Sequence, residues 1–140
     1  MAKLLSNKTV HTSVTGQCLC GAVRFKLTGP MRGVSICHCG QCRRWHGHVG
    51  AYTNVKRSAL TFTDDAALKW YASSDFAKRG FCGACGSVLF WDAPEQDTIS
   101  VTAGCLDSAT GVDVDIQIFT EDKGDYYALD PRIPIRPKSS

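Results

Sequence analysis

Seven of the eight cysteines in this 140-residue chain fall into three tight groups: Cys18-Leu19-Cys20, Cys37-His38-Cys39-Gly40-Gln41-Cys42 and Cys82-Gly83-Ala84-Cys85. Thiolates one or two residues apart turn readily toward a single soft cation, so the spacing constrains the fold through metal chemistry first. A CxC pair together with a CxxC pair supplies the four sulfurs of a closed tetrahedral site. CxCxxC alone supplies three and leaves one coordination position for water or substrate.

The local backbone agrees with such roles. Residues two apart on a strand face the same side, so Cys18 and Cys20 can reach one ion from a strand edge. Cys82-Gly83-Ala84-Cys85-Gly86 has glycine inside and after the pair, which suits a tight turn whose amides donate to thiolates. Sixty-one residues separate Cys20 from Cys82, so an ion shared by these two pairs is a long-range crosslink. In small modules the binding free energy of a closed thiolate site is on the order of 10 kcal/mol and becomes folding free energy. Spacing alone leaves the pairing open, because the second knuckle could instead complete the central group. The central group's fourth position is likewise open to water, an incoming thiol, His38, His46, His48 or the leftover Cys105, with His38 turned away by its place between two ligands.

Bulk properties bound the rest. The length accommodates one domain, and 44% hydrophobic with 21% charged residues is ordinary for a globular protein. The first fourteen residues lack the apolar stretch of a signal peptide, and no run approaches membrane-spanning length, so a cytoplasmic location and no membrane partner are expected. There cysteines stay reduced, which sets a disulfide framework aside. The formal charge of +3 counts cysteines as neutral; seven thiolates and two zinc ions bring the loaded protein near zero. That balance gives no electrostatic footprint for nucleic acid.

From Cys20 onward, short segments alternate apolar and polar residues between Gly, Asp, Ser or Asn breakers, as in Val23-Arg24-Phe25-Lys26-Leu27. Similar segments recur through Val114 to Phe119, and no dozen residues carry an uninterrupted helical period. An all-β domain of antiparallel strands is expected, with at most one helical turn near Gln41 to His46. The organisation expected is an N-terminal extension over 1–13, a zinc-binding domain over 14–125, and an extended, proline-punctuated tail over 126–140.

These residues resemble the glutathione-dependent formaldehyde-activating enzyme family, whose domain also occurs in centromere protein V. The resemblance runs from Gly16-Gln17-Cys18-Leu19-Cys20-Gly21-Ala22-Val23, through Cys37-His38-Cys39-Gly40-Gln41-Cys42-Arg43-Arg44, to Arg79-Gly80-Phe81-Cys82-Gly83-Ala84-Cys85-Gly86-Ser87. It implies a structural zinc on Cys18, Cys20, Cys82 and Cys85, and a catalytic zinc on Cys37, Cys39 and Cys42. It implies zinc-stapled, twisted antiparallel sheets of the β-tent type with few or no helices. The implied reaction joins the glutathione thiol to formaldehyde, carbon–sulfur lyase chemistry in reverse. Gln117 stands where family members commonly carry a histidine.

The residues permit such chemistry. A thiol at the open position of the central site would lose its proton to metal stabilisation and attack an electrophilic carbon, with Arg43 and Arg44 as candidate receivers of a substrate carboxylate. His46 and His48 are candidate proton carriers that more simply read as surface residues. Trp45, Trp70 and Trp91 read as core or pocket wall, and Cys105 as a small buried residue. The competing class is a non-enzymatic, zinc-stabilised interaction module. Oligomeric state has no signal in the sequence.

Overall fold

The structure, a computed structural model, describes residues 9–107 and 109–139. The start of the expected N-terminal extension, residues 1–8, lies outside the described residues. Eleven strands form among them: β1 (Thr9–Gln17), β2 (Arg24–Arg32), β3 (Val34–Cys37), β4 (Gly50–Lys56), β5 (Leu60–Asp64), β6 (Leu68–Ala72), β7 (Lys78–Cys82), β8 (Val88–Asp92), β9 (Thr98–Thr102), β10 (Val114–Ile118) and β11 (Ile135–Arg136). A seven-residue helix, α1 (Gly40–His46), follows β3. The described residues contain no helix long and apolar enough to cross a membrane.

Eight strands in the order β11-β10-β3-β4-β9-β8-β7-β6 form an open sheet. β2 carries β1 and β5 on its two sides and joins the larger sheet where Met31 pairs with Val55. The fold is mostly sheet with one helix, as expected, and its cysteine groups could hold zinc, but the sheet is mixed rather than purely antiparallel. At one edge β10 runs parallel to both β3 and β11. The physical reason is the connection: β10 follows β9 only after a long segment with a single turn of 3-10 helix at Ala103–Cys105, enough chain to cross to the far side of β3.

β1 begins earlier than the period-two reading has it. Its sequence, TVHTSVTGQ, is mostly polar, so alternation is faint, yet it pairs with β2 in unbroken register from Thr9↔Arg32 to Gln17↔Arg24. β-branched threonines and valines suit this pleated edge. The tail likewise gains an element. Besides β11, main-chain bonds from Gln117 to Pro134 and from Glu121 to Pro137, at 2.9 and 3.2 Å, lay it along β10.

Alternation of side chains across each strand then divides the large sheet into two faces. One carries Val55, Phe90, Ile99 and Val101, which pack with Phe25, Leu27 and Met31 of β2 into the main core. The other carries Ser35 and Cys37 of β3, Tyr52 and Asn54 of β4, Ser100 of β9, Trp91 of β8 and Arg79 of β7, which the register places side by side. The same strands that bury the core therefore present a polar, sulfur-bearing surface on their reverse.

Phe90 is wholly buried, with the rings of Phe25 and Phe62 at 5.1 and 5.6 Å. Phe90→Ala is expected to cost about 3–5 kcal/mol, read as a lower urea midpoint. Leu19→Ala, at a side chain 86% exposed, should stay within about 0.5 kcal/mol of the parent.

Candidate metal centres

Four sulfurs from the front and the middle of the domain gather in one place. The Sγ atoms of Cys18, Cys20, Cys82 and Cys85 all lie within 4.8 Å of one another, with Cys18 to Cys20 at 3.7 Å and Cys20 to Cys82 at 3.9 Å. Zinc–sulfur bonds of about 2.3 Å give a tetrahedron whose edge is about 3.8 Å. A disulfide would bring two sulfurs to about 2 Å, and every cysteine is a free thiol. The group could hold a metal ion, and its spacing and all-sulfur donor set are consistent with zinc.

Backbone amides prepare these sulfurs for negative charge. Val23 N donates to Cys18 Sγ at 3.3 Å, and Ala84 N and Cys85 N both donate to Cys82 Sγ at 3.4 Å. Gly86, at φ +82°, supplies the left-handed residue that closes the knuckle, with its N–H on Cys82 O at 2.8 Å. Ser87 joins the two halves. Its hydroxyl oxygen accepts from Leu19 N at 2.9 Å and lies 3.2 Å from Cys85 Sγ, and its hydrogen bond holds the Cys85 thiol down to about 5.

The second group, Cys37, Cys39 and Cys42, also has its sulfurs within 4.8 Å of one another and could hold a metal ion. Cys37 closes β3 beside Ile118 of the parallel β10. Cys39 caps α1: its Sγ accepts from Cys42 N at 3.3 Å, leaving Cys42 on the buried side of the helix. Gly47, at φ +79°, ends the helix with its N–H on Arg43 O. Three thiols this close cannot share charge evenly. Hydrogen bonds from Cys37 and Cys42 hold Cys39 well below the ordinary thiol range, while the same contacts push Cys37 up. A divalent cation removes that conflict, since it favours thiolate at every position.

The two groups differ in what they face. Cys37, Cys39 and Cys42 line a cleft of about 820 Å³ on the polar face of the sheet, with Trp91, Ile116 and Ile118 among its apolar walls. Phe119, also in the wall, holds a left-handed backbone at φ +53°. For a bulky residue that conformation costs about 1–2 kcal/mol, so the surrounding packing must impose it.

Arg79 reaches this cleft from β7. Its Nε and Nη2 donate to Gln41 Oε1 at 3.0 and 2.7 Å, Nη1 to Tyr52 OH at 3.1 Å, and Nη2 to Cys42 Sγ at 3.7 Å. The Tyr52 hydroxyl, already accepting from Arg79, directs its own proton to His46 Nε2 at 2.7 Å. Burial pushes the Tyr52 phenol up, and burial with the nearby Arg79 charge lowers His46 to about 4, so this pair is neutral at ordinary pH.

The other residues singled out by the sequence are placed as follows. His38 points away from the sulfurs, buried, with Nδ1 2.6 Å from Tyr127 OH. His48 is exposed and bonds Tyr126 OH at 2.6 Å, whereas His46 is half-buried against Tyr52. Cys105 joins neither group; its thiol donates to Thr102 O at 3.1 Å, and burial pushes it to about 11. Arg43 and Arg44 sit on the exposed side of α1, Arg43 donating to Asp122 O at 3.3 Å, and neither lines the cleft. The cations that do are Arg32, Arg79 and Arg136. Arg79 was legible only as a neighbour of Cys82; strand alternation places the two on opposite faces. Gln117 lies outside the cleft, its amide donating to Asp130 O and Ile133 O at 2.9 and 3.2 Å. Trp91 is cleft wall, Trp70 stacks on Phe90, and Trp45 packs between Tyr71 and Phe81.

Comparison with known proteins gives a consistent result. The model of a family described as glutathione-dependent formaldehyde-activating enzyme matches residues 13–122. A Schizosaccharomyces pombe protein named as an uncharacterized lyase is 29% identical over 114 residues, 80% of this chain and 82% of its own. A Halomonas elongata protein named "Putative glutathione-dependent formaldehyde-activating enzyme" is 28% identical over 127 residues, 84% of this chain and 81% of its own. A Rhodobacter sphaeroides crystal structure superposes with a TM-score of 0.55 at 22% identity, covering 86% of this chain and 98% of that one, which speaks to the fold.

Two outcomes are expected. Cys82→Ser should abolish cooperative folding of purified protein or lower its melting temperature steeply, and chelator should do the same to the parent, because either change would remove a crosslink made through a metal ion. For His46 the sign follows from its lowered value: the unfolded chain binds a proton between about pH 6.5 and 4 that the folded chain does not, so stability falls as pH drops through that window. His46→Gln, which keeps an acceptor for Tyr52, should flatten that part of the stability-against-pH curve in matched urea titrations.

Proposed function

The chain belongs to the glutathione-dependent formaldehyde-activating enzyme family, and we propose that it is a zinc-dependent carbon–sulfur lyase-type enzyme that adds a small thiol such as glutathione to a small aldehyde such as formaldehyde. The observation that carries this reading is the unequal setting of the two cysteine groups. Four sulfurs converge to tetrahedral spacing, while three line a cleft large enough for a peptide-sized thiol.

In this proposal Cys18, Cys20, Cys82 and Cys85 hold a structural zinc, and Cys37, Cys39 and Cys42 hold a second one. When bound at the second site, zinc supplies a position that favours thiolate over thiol. The chain's own residues do the rest. Trp91, Ile116 and Ile118 exclude water on one side, which disfavours hydration of the aldehyde carbonyl there. Polar groups at the cleft, Arg32 and Asn54 among them, offer contacts for the carboxylates and amides of a peptidic thiol. In the net reaction a sulfur–carbon bond forms, the aldehyde C=O becomes C–OH, and the thiol proton ends on that oxygen. Free thiols in both substrate and protein suit a cytoplasmic setting.

The test is direct. Protein purified without added metal is expected to hold close to two zinc ions, and carbon NMR of labelled formaldehyde with glutathione should show the hydroxymethyl thioether forming faster with protein than without. Cys42→Ser should lose one ion and that acceleration while keeping the other ion. If Cys42→Ser retains both, the central group has no catalytic part.

A further inference from the structure

Arg79 is the most deeply buried cation of the cleft, with 3% of its surface exposed. A guanidinium cannot discard its charge, and burying one is costly unless a counter-charge and hydrogen bonds compensate. Among the described residues no ion pair joins Arg79 to a carboxylate. Its oxygen partners, Gln41 Oε1 and Tyr52 OH, are neutral acceptors, and Gln41 is itself fixed by donating to Ser73 O at 3.0 Å. The group in reach that a bound cation would make anionic is the sulfur of Cys42, 3.7 Å from Nη2.

We infer that Arg79 is a positioning residue that supplies the counter-charge of the Cys37–Cys39–Cys42 centre and biases its remaining ligand position toward an anionic thiolate over a neutral donor. The argument is one of charge. Three thiolates with a divalent ion leave a net negative charge, and a fourth thiolate adds another. In water that second charge would be solvated; in a cleft backed by Trp91, Ile116 and Ile118 it must be met by the protein. The guanidinium is held in place by Gln41 and Tyr52 before any ligand arrives, so no reorganisation is needed when charge develops. A neutral donor such as imidazole brings no charge and gains nothing from Arg79.

This inference rests on the thiol-binding reading of the central group, and the test separates the two. Cobalt-loaded full-length protein is titrated with 2-mercaptoethanol and, separately, with imidazole, and the visible spectrum of the open centre is followed. Arg79→Met is expected to weaken thiol binding about ten-fold or more with imidazole binding little changed, and to raise the pH at which thiol binding is half complete. Arg79→Lys, which restores charge without the planar fork, should recover much of the thiol affinity. Should Arg79→Met fail to fold, Gln41→Leu frees the guanidinium while keeping its charge, and it too should weaken thiol binding selectively. Equal loss of both ligands in the variants, or unchanged thiol binding, would overturn the inference alone. A parent protein whose spectrum answers to no thiol would overturn the thiol-binding reading with it.

Discussion

The convergence of Cys18 and Cys20 with Cys82 and Cys85 is the constraint on which the rest of the fold depends. These residues join the β1–β2 connection to the knuckle after β7, two segments that share no strand pairing. With sulfurs already at the spacing of a zinc tetrahedron, and amides from Val23, Ala84 and Cys85 turned onto them, the knuckle anchors one end of β7 and, through Ser87, the start of β8. β7 is the strand that carries Arg79 to the opposite face. The four-sulfur group and the cleft thus lie on two sides of one strand.

The cleft in turn depends on the sheet's two-faced character. Val55, Ile99 and Val101 point into the core, so their neighbours Asn54 and Ser100 must point out, and these fall in register with Trp91 and Arg79. Parallel β10 then brings Ile116 and Ile118 alongside Ser35 and Cys37. At the end of that strand Phe119 takes up a left-handed backbone, a local cost absorbed by the packing of the whole edge. A three-sulfur group on a bare surface would be solvated on its open side. Here it is framed by apolar walls and by a fixed cation.

Much of this was legible in the sequence, for identifiable reasons. The cysteine groups announce themselves because metal ligation demands short spacings, and the sulfurs of each set lie close together in the structure. Strands such as Val34–Cys37 and Leu68–Ala72 follow from alternation. Other features follow from long-range geometry that no local pattern encodes. β1 is too polar for its period to stand out until β2 is beside it. The direction of β10 depends on where a long connection delivers the chain. Arg43 and Arg44 are close to Cys42 in sequence, but a helix turns about 100° per residue, so burying Cys42 turns both toward solvent. Arg79 is close in space only because β7 and the start of α1 meet over Gln41.

The central claim is that one group of cysteines encloses its ion and the other keeps a position for a guest. Cadmium NMR of protein loaded at both centres tests it most directly. The account predicts two cadmium resonances, of which one moves when glutathione is added and the other stays fixed. Two resonances that both ignore the thiol would contradict it.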